Sequence, residues 1–450
     1  MSTAPINGGS PQYTVRVGDQ IKTIPAQFEE AAAQIAGADH PDTFLSDADF
    51  ERFFRNQEQG ATGSGQAVDP QVIKDRANEL KSSMAQTANP AISAYHNFQQ
   101  LIAECDKVKD AHPDYVKKTS LGKTAEGRDL WMYTITKNAN DDAATANKPG
   151  VVLIKNIHAR EWATGETSPA LMHTLLDNVG KDPAAQQRLQ NGVVYLLACQ
   201  NPDGREFSFN SDNMWRKNRS VQTDSQGKPT GDIGVDPNRN WGEPQPILNH
   251  SLIFDPLGTP GSGKLGPTLG QTSDDPSSEL YRGKAPASEP EVATAEKVIV
   301  QPNVVGVNDC HSYSADVLAP WDHSKAAPPD QAIYQDVGNA MAHAASYKLE
   351  PGIGLYPNSG DTCIFGAANG KISFTTEIGQ SFQPSASVLP KVIKEGVSAD
   401  MAMVDKLFQK AKDGTLGPRT PVALPPADQS RSVAPQILTD SDPIQRYFID

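Results

Sequence analysis

The run from Gly150 to Trp162, Gly-Val-Val-Leu-Ile-Lys-Asn-Ile-His-Ala-Arg-Glu-Trp, constrains this chain more than any other stretch. Its first eight residues are mostly apolar and β-branched. That is the pattern of a strand buried on both faces, as in a parallel sheet. The strand stops at His158, and Glu161 follows three residues later. An imidazole and a carboxylate so spaced can both reach one metal ion just past a strand end. Zinc accepts both donor types, and a catalytic zinc keeps three protein ligands and one open position. The pair alone fits a surface loop equally, because so short a pattern recurs by chance.

The rest of the chain supplies the context. Tyr95, Phe98, Leu101, Ile102, Cys105 and Val108 recur at helical spacing, and His112-Pro113 ends that helix. Strands are expected over 116–121 and 130–136, joined by a turn at 124–128. After the zinc-candidate strand comes a helix with Leu171, Leu175 and Leu176 on its apolar face, then a strand over 192–199 stopped by Asn201-Pro-Asp-Gly. Helices over 290–300, 330–347 and 389–411 alternate with strands over 303–310 and 371–378. Such alternation implies βαβ units and a parallel or mixed sheet. Residues 242–280, rich in Gly, Pro and Ser, read as a long irregular connection of the kind that forms lids.

Residues 1–88 read as an N-terminal extension, partly helical or disordered, with short helices over 47–54 and 70–85. Tyr13-Thr-Val-Arg-Val-Gly-Asp faintly resembles the opening of a peptidoglycan-binding LysM module, without the rest of that pattern. A catalytic domain is expected over 89–415, and 416–450 is a Pro-rich tail.

Charge narrows the partners. Lys+Arg is 40 and Asp+Glu is 54, a net −14, which argues against nucleic acid or an anionic membrane surface. No run of about 18 apolar residues predicts a membrane-spanning helix. The first ten residues lack a basic and an apolar region, so no secretory leader is expected. Compartment stays open between the cytosol and export by a non-classical route. None of the four cysteines forms a CxxC pair, and Cys199 and Cys310 end apolar runs, as buried free thiols do. Oligomeric state does not follow from the sequence.

His158, Glu161, His311 and Glu377 all fall at or just past predicted strand ends, the edge where open α/β sheets build sites. Three of the four complete a His/Glu/His zinc site. The fourth is a carboxylate free to act as general base toward a metal-activated water. Taken alone, Glu377 fits a buried, paired strand carboxylate equally well. Two basic stretches, Met214-Trp-Arg-Lys-Asn-Arg-Ser and Gly234-Val-Asp-Pro-Asn-Arg-Asn-Trp, offer guanidinium groups for a carboxylate or an oxyanion.

Eight stretches together carry a family resemblance. They are His158-Ala-Arg-Glu-Trp, Asn201-Pro-Asp-Gly, Trp215-Arg-Lys-Asn-Arg-Ser, Gly234-Val-Asp-Pro-Asn-Arg-Asn-Trp, Tyr281-Arg-Gly-Lys, His311-Ser-Tyr-Ser, Tyr356-Pro-Asn-Ser-Gly and Ser373-Phe-Thr-Thr-Glu. In this order the chain resembles a zinc carboxypeptidase of the pancreatic A/B type. The resemblance implies an α/β fold with a mixed eight-stranded sheet sandwiched by helices, and one zinc per chain on His158, Glu161 and His311. It implies Glu377 as general base and Arg216 as the residue that polarises the scissile carbonyl. Asn238, Arg239 and Tyr356 would clamp the terminal carboxylate of a peptide or protein, and Arg160, Ser312 and Tyr313 would form secondary subsites.

Two other functions compete: a peptidase of peptidoglycan stem peptides, and a non-catalytic peptide- or cell-wall-binding protein. Against the second, every residue the chemistry needs is present. Specificity divides two ways. Asp322 stands where an acidic residue in the regulatory branch of the family reads basic side chains. If instead Asp322 faces solvent or caps the helix near Asp330, then Cys363, Ile364 and Thr375 leave a neutral pocket. After Gly360 the chain departs from the family pattern as Asp-Thr-Cys-Ile-Phe.

Overall fold

The computed structural model describes the strands Ser2–Ala4, Gln12–Val17, Gln20–Thr23 and Phe44–Leu45, then residues 94–242, 253–258, 265–416 and 420–428. Two units divide the chain, Met1–Ser93 with Phe209–Asn213, and Ala94–Ser208 with Met214–Asp450. In the first, Gln12–Val17 pairs antiparallel with Ser2–Ala4 and Gln20–Thr23 and parallel with Phe44–Leu45. Strands rather than helices occupy its described part, because Tyr13-Thr-Val-Arg-Val is rich in β-branched residues. The helices expected over 47–54 and 70–85 lie outside the described residues.

Eight strands build the sheet of the second unit. They are β1 Val116–Lys123, β2 Asp129–Ile135, β3 Gly150–Lys155, β4 Val193–Leu197, β5 Val304–His311, β6 Asp316–Ala319, β7 Lys348–Pro351 and β8 Ile372–Glu377. Their order across the sheet is β7-β6-β8-β5-β3-β4-β2-β1. The central four, β8, β5, β3 and β4, are parallel. Antiparallel pairings of β6 with β8, β2 with β4 and β1 with β2 extend it on both sides.

The apolar run at 150–154 is explained by two cores. Val151 and Leu153 point into one, shared with the helices Phe98–Ala111, Trp162–Leu176 and Leu389–Lys412. Val152 and Ile154 point into the other, shared with Pro290–Ile299 and Thr362–Ala368. Burying each such side chain stabilises the fold by about 1.5–3 kcal/mol. The strand is not wholly apolar. Its last residue, Lys155, is fully buried, with Nζ 2.6 Å from Asp400 Oδ2, and Asn308 Nδ2 donates to Asp400 Oδ1 at 2.9 Å.

Register positions the site. His311 is level with Glu377, and Cys310 is level with Lys155, so β3, β5 and β8 end together at one carboxyl edge. Beyond His311 the chain does not run on as a strand toward Asp322. It turns back through Ala315, at φ 60°, and β6 returns antiparallel to β8. The hairpin Val221–Thr223/Pro229–Ile233, β7 and the helix Thr362–Ala368 are further elements that periodicity did not disclose. All four cysteines are free and buried. Among the described residues no helix is long and apolar enough to cross a membrane.

Candidate metal centre and active site

At the end of β3 the chain must turn sharply. Asn156 takes φ 54°, a left-handed conformation that asparagine tolerates better than most residues. Its Nδ2 donates to the carbonyls of His158 (2.8 Å) and Glu161 (3.2 Å), closing the loop that carries both side chains. Its Oδ1 accepts from the buried Arg205 Nη1 at 2.8 Å. Glu161 then sits at the N-cap of the helix Trp162–Leu176, and Thr164 Oγ1 donates to its carbonyl at 2.8 Å.

The three expected ligands meet. Ligand atoms of His158, Glu161 and His311 all lie within 4.8 Å of one another. His158 Nδ1 is 2.7 Å from Glu161 Oε1 and 3.0 Å from His311 Nδ1, and His311 Nδ1 is 3.3 Å from Glu161 Oε2. Their outer nitrogens face acids: His158 Nε2 lies 3.1 Å from Asp236 Oδ1, and His311 Nε2 lies 3.0 Å from Asp309 Oδ2. An Nε2–H donated outward leaves each Nδ1 lone pair pointing inward, the tautomer a metal ligand needs. Two imidazoles and a carboxylate, 3%, 2% and 2% exposed, form the donor set of a catalytic zinc site, and the residues present fit the ion.

Charge is arranged around this point. Burial alone would raise the Glu161 carboxyl, but His158 and His311 outweigh it and hold it below the usual range. Asp236 is held well below its ordinary value in the same way, with Arg216 and then His158 opposing burial. Arg216 Nε donates to Asp236 Oδ2 at 2.9 Å. The Arg216 carbonyl accepts from Ala159 N at 3.0 Å, which fastens the Arg216 loop to the ligand loop. Gly234 makes this packing possible: at φ 83°, a Cβ there would meet the Asn218 carbonyl oxygen at 2.4 Å.

A cleft opens over the ligands, lined by His158, Glu161, Glu377, Arg216, Arg160, Ser312, Tyr313, Tyr356, Leu355 and Phe382. Burial lifts the Glu377 carboxyl to about 7 against the pull of His311, and Glu161 adds to the rise. Ser312 N donates to Glu161 Oε2 at 3.2 Å. Arg160 stacks on Phe382, 4.4 Å from the ring centroid, and Phe382 packs edge-on against Tyr313 at 4.9 Å. Asn238 and Arg239 flank the cleft. Asn238 Nδ2 is 3.1 Å from His311 Nε2, and its Oδ1 accepts from Thr362 N at 2.9 Å. The Arg239 guanidinium lies 5.7 Å from the Tyr356 ring centroid. Its Nη1 donates to Asn238 O at 2.7 Å, while buried Nη2 has no partner among the described residues.

The family model for zinc carboxypeptidases matches residues 101–399. The chain belongs to the zinc carboxypeptidase family. It is a zinc metallocarboxypeptidase, a hydrolase acting at the C-terminus of peptides or proteins. The metallocarboxypeptidase is 30% identical to mouse carboxypeptidase A2 over 346 residues, 75% of this chain and 72% of that protein. It is 26% identical to mouse carboxypeptidase A4 over 84% of this chain and 89% of the relative. The crystal structure of carboxypeptidase A from Helicoverpa armigera shares the fold, with a TM-score of 0.59 and 20% identity over 89% of this chain and 97% of that one.

Sequence reasoning on the metallocarboxypeptidase missed three groups. Asp236, two residues before Asn238, carries both His158 and Arg216; its place in Gly-Val-Asp-Pro-Asn-Arg-Asn was the available signal. Asp309, two residues before His311 on one strand face, was equally in view. Phe382 gave no signal, since a lone aromatic in a loop marks nothing. The connection at 242–280 differs from a free lid in its described part. Fully buried Arg282 pins it, with Nε 2.6 Å from Asp274 Oδ1 and Nη1 donating to Phe254 O at 3.0 Å. Asp322 does not face solvent. It is buried and hydrogen-bonded to Asp361, and burial followed by that neighbour raises its carboxyl well above the ordinary value.

Proposed function

We propose that this metallocarboxypeptidase removes single C-terminal residues at the cleft over His158, Glu161 and His311. The observation that carries the reading is the convergence of two Nδ1 atoms and a carboxylate beside Glu377, at one level edge of three parallel strands. A zinc ion held by these residues supplies Lewis acidity, polarising an oxygen and lowering the pKa of water. Glu377 accepts the proton of the attacking water and returns it to the leaving amine; burial suits it to both roles. Arg216, oriented by Asp236, donates to the oxyanion that develops on the scissile carbonyl. Arg239, whose Nη2 has no partner among the described residues, takes the terminal carboxylate together with Asn238, and Tyr356 covers it. Arg160, Ser312, Tyr313 and Phe382 hold the preceding residues of the peptide.

For the departing side chain we assign a preference for Lys or Arg to Asp322. Asp322 Oδ1 and Asp361 Oδ2 are buried without partners among the described residues, and the two carboxyls share a hydrogen bond. Burial followed by Asp361 raises the Asp322 carboxyl well above its ordinary value and favours its protonated form. An entering ammonium or guanidinium replaces that proton with a paired charge, which a buried carboxylate requires. On this reading the partners are peptides or proteins with free C-termini. Mass spectrometry of a mixed peptide set, with and without chelator, tests the whole assignment. Single-residue loss from the C-terminus, abolished by chelator and restored by zinc, is expected. Internal cleavage, or cleavage indifferent to chelator, would overturn it.

A further inference from the structure

Three successive carbonyls around Asp322 divide their partners. Trp321 O accepts from Ile353 N at 3.2 Å, and Asp322 O accepts from Asn358 N at 3.2 Å, so both hold the loop that carries Tyr356. His323 O faces the other way and accepts from Asp428 N at 2.8 Å. The His323 ring does the same: Nε2 is 3.1 Å from Pro425 O. Burial pushes His323 down to about 4, so its ring is neutral and its one N–H is committed to that carbonyl. Lys325 Nζ adds an ion pair to Asp428 at 3.1 Å.

Upstream, the same C-terminal segment is seated on the helix that begins after Asp361. Val422 N donates to Ala368 O at 2.8 Å. Val422 and Leu424 pack on the apolar cluster that contains Trp321, Ile364 and Phe365. These residues lie beyond 101–399, the stretch common to the family. On the opposite side of Asp322 there is no slack. A Cβ at Gly352 would stand 1.6 Å from Asp322 Oδ1, so the turn leading to Tyr356 rests directly on this carboxyl.

We propose that residues 420–428 form a strap that positions the specificity pocket, acting through His323 on the Asp322 carboxyl and the Tyr356 loop. His323 is a positioning residue: it touches neither substrate nor metal ligands, and it fixes the peptide whose two preceding carbonyls hold 353–358. The proposal rests on the reading of Asp322 and Tyr356 as substrate-binding groups. A strap that served stability alone would change melting temperature and leave substrate affinity untouched.

The test uses the full-length zinc enzyme. His323→Phe keeps a ring against Trp321 and removes the donor; His323→Gln restores an N–H. Expected for His323→Phe is a KM for free-acid peptides raised about fivefold, the loss of about one hydrogen bond, with kcat within twofold. Faster hydrogen exchange at the Ile353 and Asn358 amides should accompany it, with at least half of both effects recovered in His323→Gln. Unchanged KM and unchanged exchange in His323→Phe would overturn the strap, as would equal losses that Gln does not recover. Should His323→Phe fail to fold, a protease site placed at 417–419 and cut in the folded enzyme gives the same two readouts. Asp322→Gly, measured in parallel, separates the two ideas. If it leaves the Arg/Phe preference unchanged while His323→Phe raises KM and exchange, the specificity reading fails and the strap stands through Tyr356.

Discussion

The molecule holds two buried groups of carboxyls, and they are built in opposite ways. Around the metal ligands each acid has a cation or an imidazole at hand: Glu161 with His158 and His311, Asp236 with Arg216 and His158, Asp309 with His311. Those partners hold Glu161 and Asp236 ionised in spite of burial. Asp322 and Asp361 face each other, and burial raises both, Asp361 to about 6, against the weaker pull of Arg239. The first group is prepared to hold positive charge at all times. On the proposed specificity, the second would exchange its proton for the charge of an arriving side chain. The first suits a resident ion, and the proposal assigns the second to a transient side chain.

The largest way to break this contrast is to strip the first group. His311→Ala should leave less than a tenth of the zinc per chain by metal analysis, with activity lost; undiminished zinc would remove His311 from the ligand set. Glu377→Gln should keep the metal and lose about 10²–10⁴-fold in kcat, the worth of a general base. A rate within twofold of wild type would assign the proton transfer elsewhere. Asp236→Asn sharpens the comparison by removing one partner without touching a ligand. Zinc affinity should fall about 10–100-fold, the usual effect of a group that orients a ligand, and competition with a chromogenic chelator reads it.

Substrate charge probes the boundary between the two groups. Amidating the C-terminus removes the carboxylate that Arg239 is proposed to read. The charge-assisted bond is worth about 1.5–3 kcal/mol, so kcat/KM should drop at least tenfold; equal turnover of acid and amide would show an unused clamp. The smallest effect concerns the second group. Asp322→Gly should lower the ratio of cleavage after Arg to cleavage after Phe by about tenfold, again one charged pair. A wild type that already prefers Phe would place specificity in Cys363 and its neighbours.

Legibility differed between the same two regions. His158 and Glu161 are three residues apart, and His311 and Glu377 end apolar strands, so strand periodicity located all four. A parallel or mixed sheet was equally readable, because Val151, Val152, Leu153 and Ile154 must face two cores; its count of eight strands was what the family resemblance implied. Around Asp322 the reading failed in a specific way. After His311 the chain turns back through Ala315, and a single residue with positive φ leaves no periodic trace. The helix Thr362–Ala368, which places Asp361 beside Asp322, is only seven residues long. So short an element lies below the length at which a 3.6-residue period can be distinguished.

By itself, then, the sequence determined most of the central strands, their apolar faces and the placement of His158, Glu161, His311 and Glu377 at strand ends, a donor set suited to zinc. These depend on local spacing and on burial, which are written along the chain. Only the tertiary structure decided which acids lie behind the ligands, that Lys155 meets Asp400 across 245 positions, and that Asp322 is buried against Asp361. It also decided that a segment ending at residue 428 closes on His323. The physical reason is common to all four. Electrostatic and hydrogen-bonding partners are chosen by distance in space, and a pair far apart in sequence carries no periodic signature before the chain has folded.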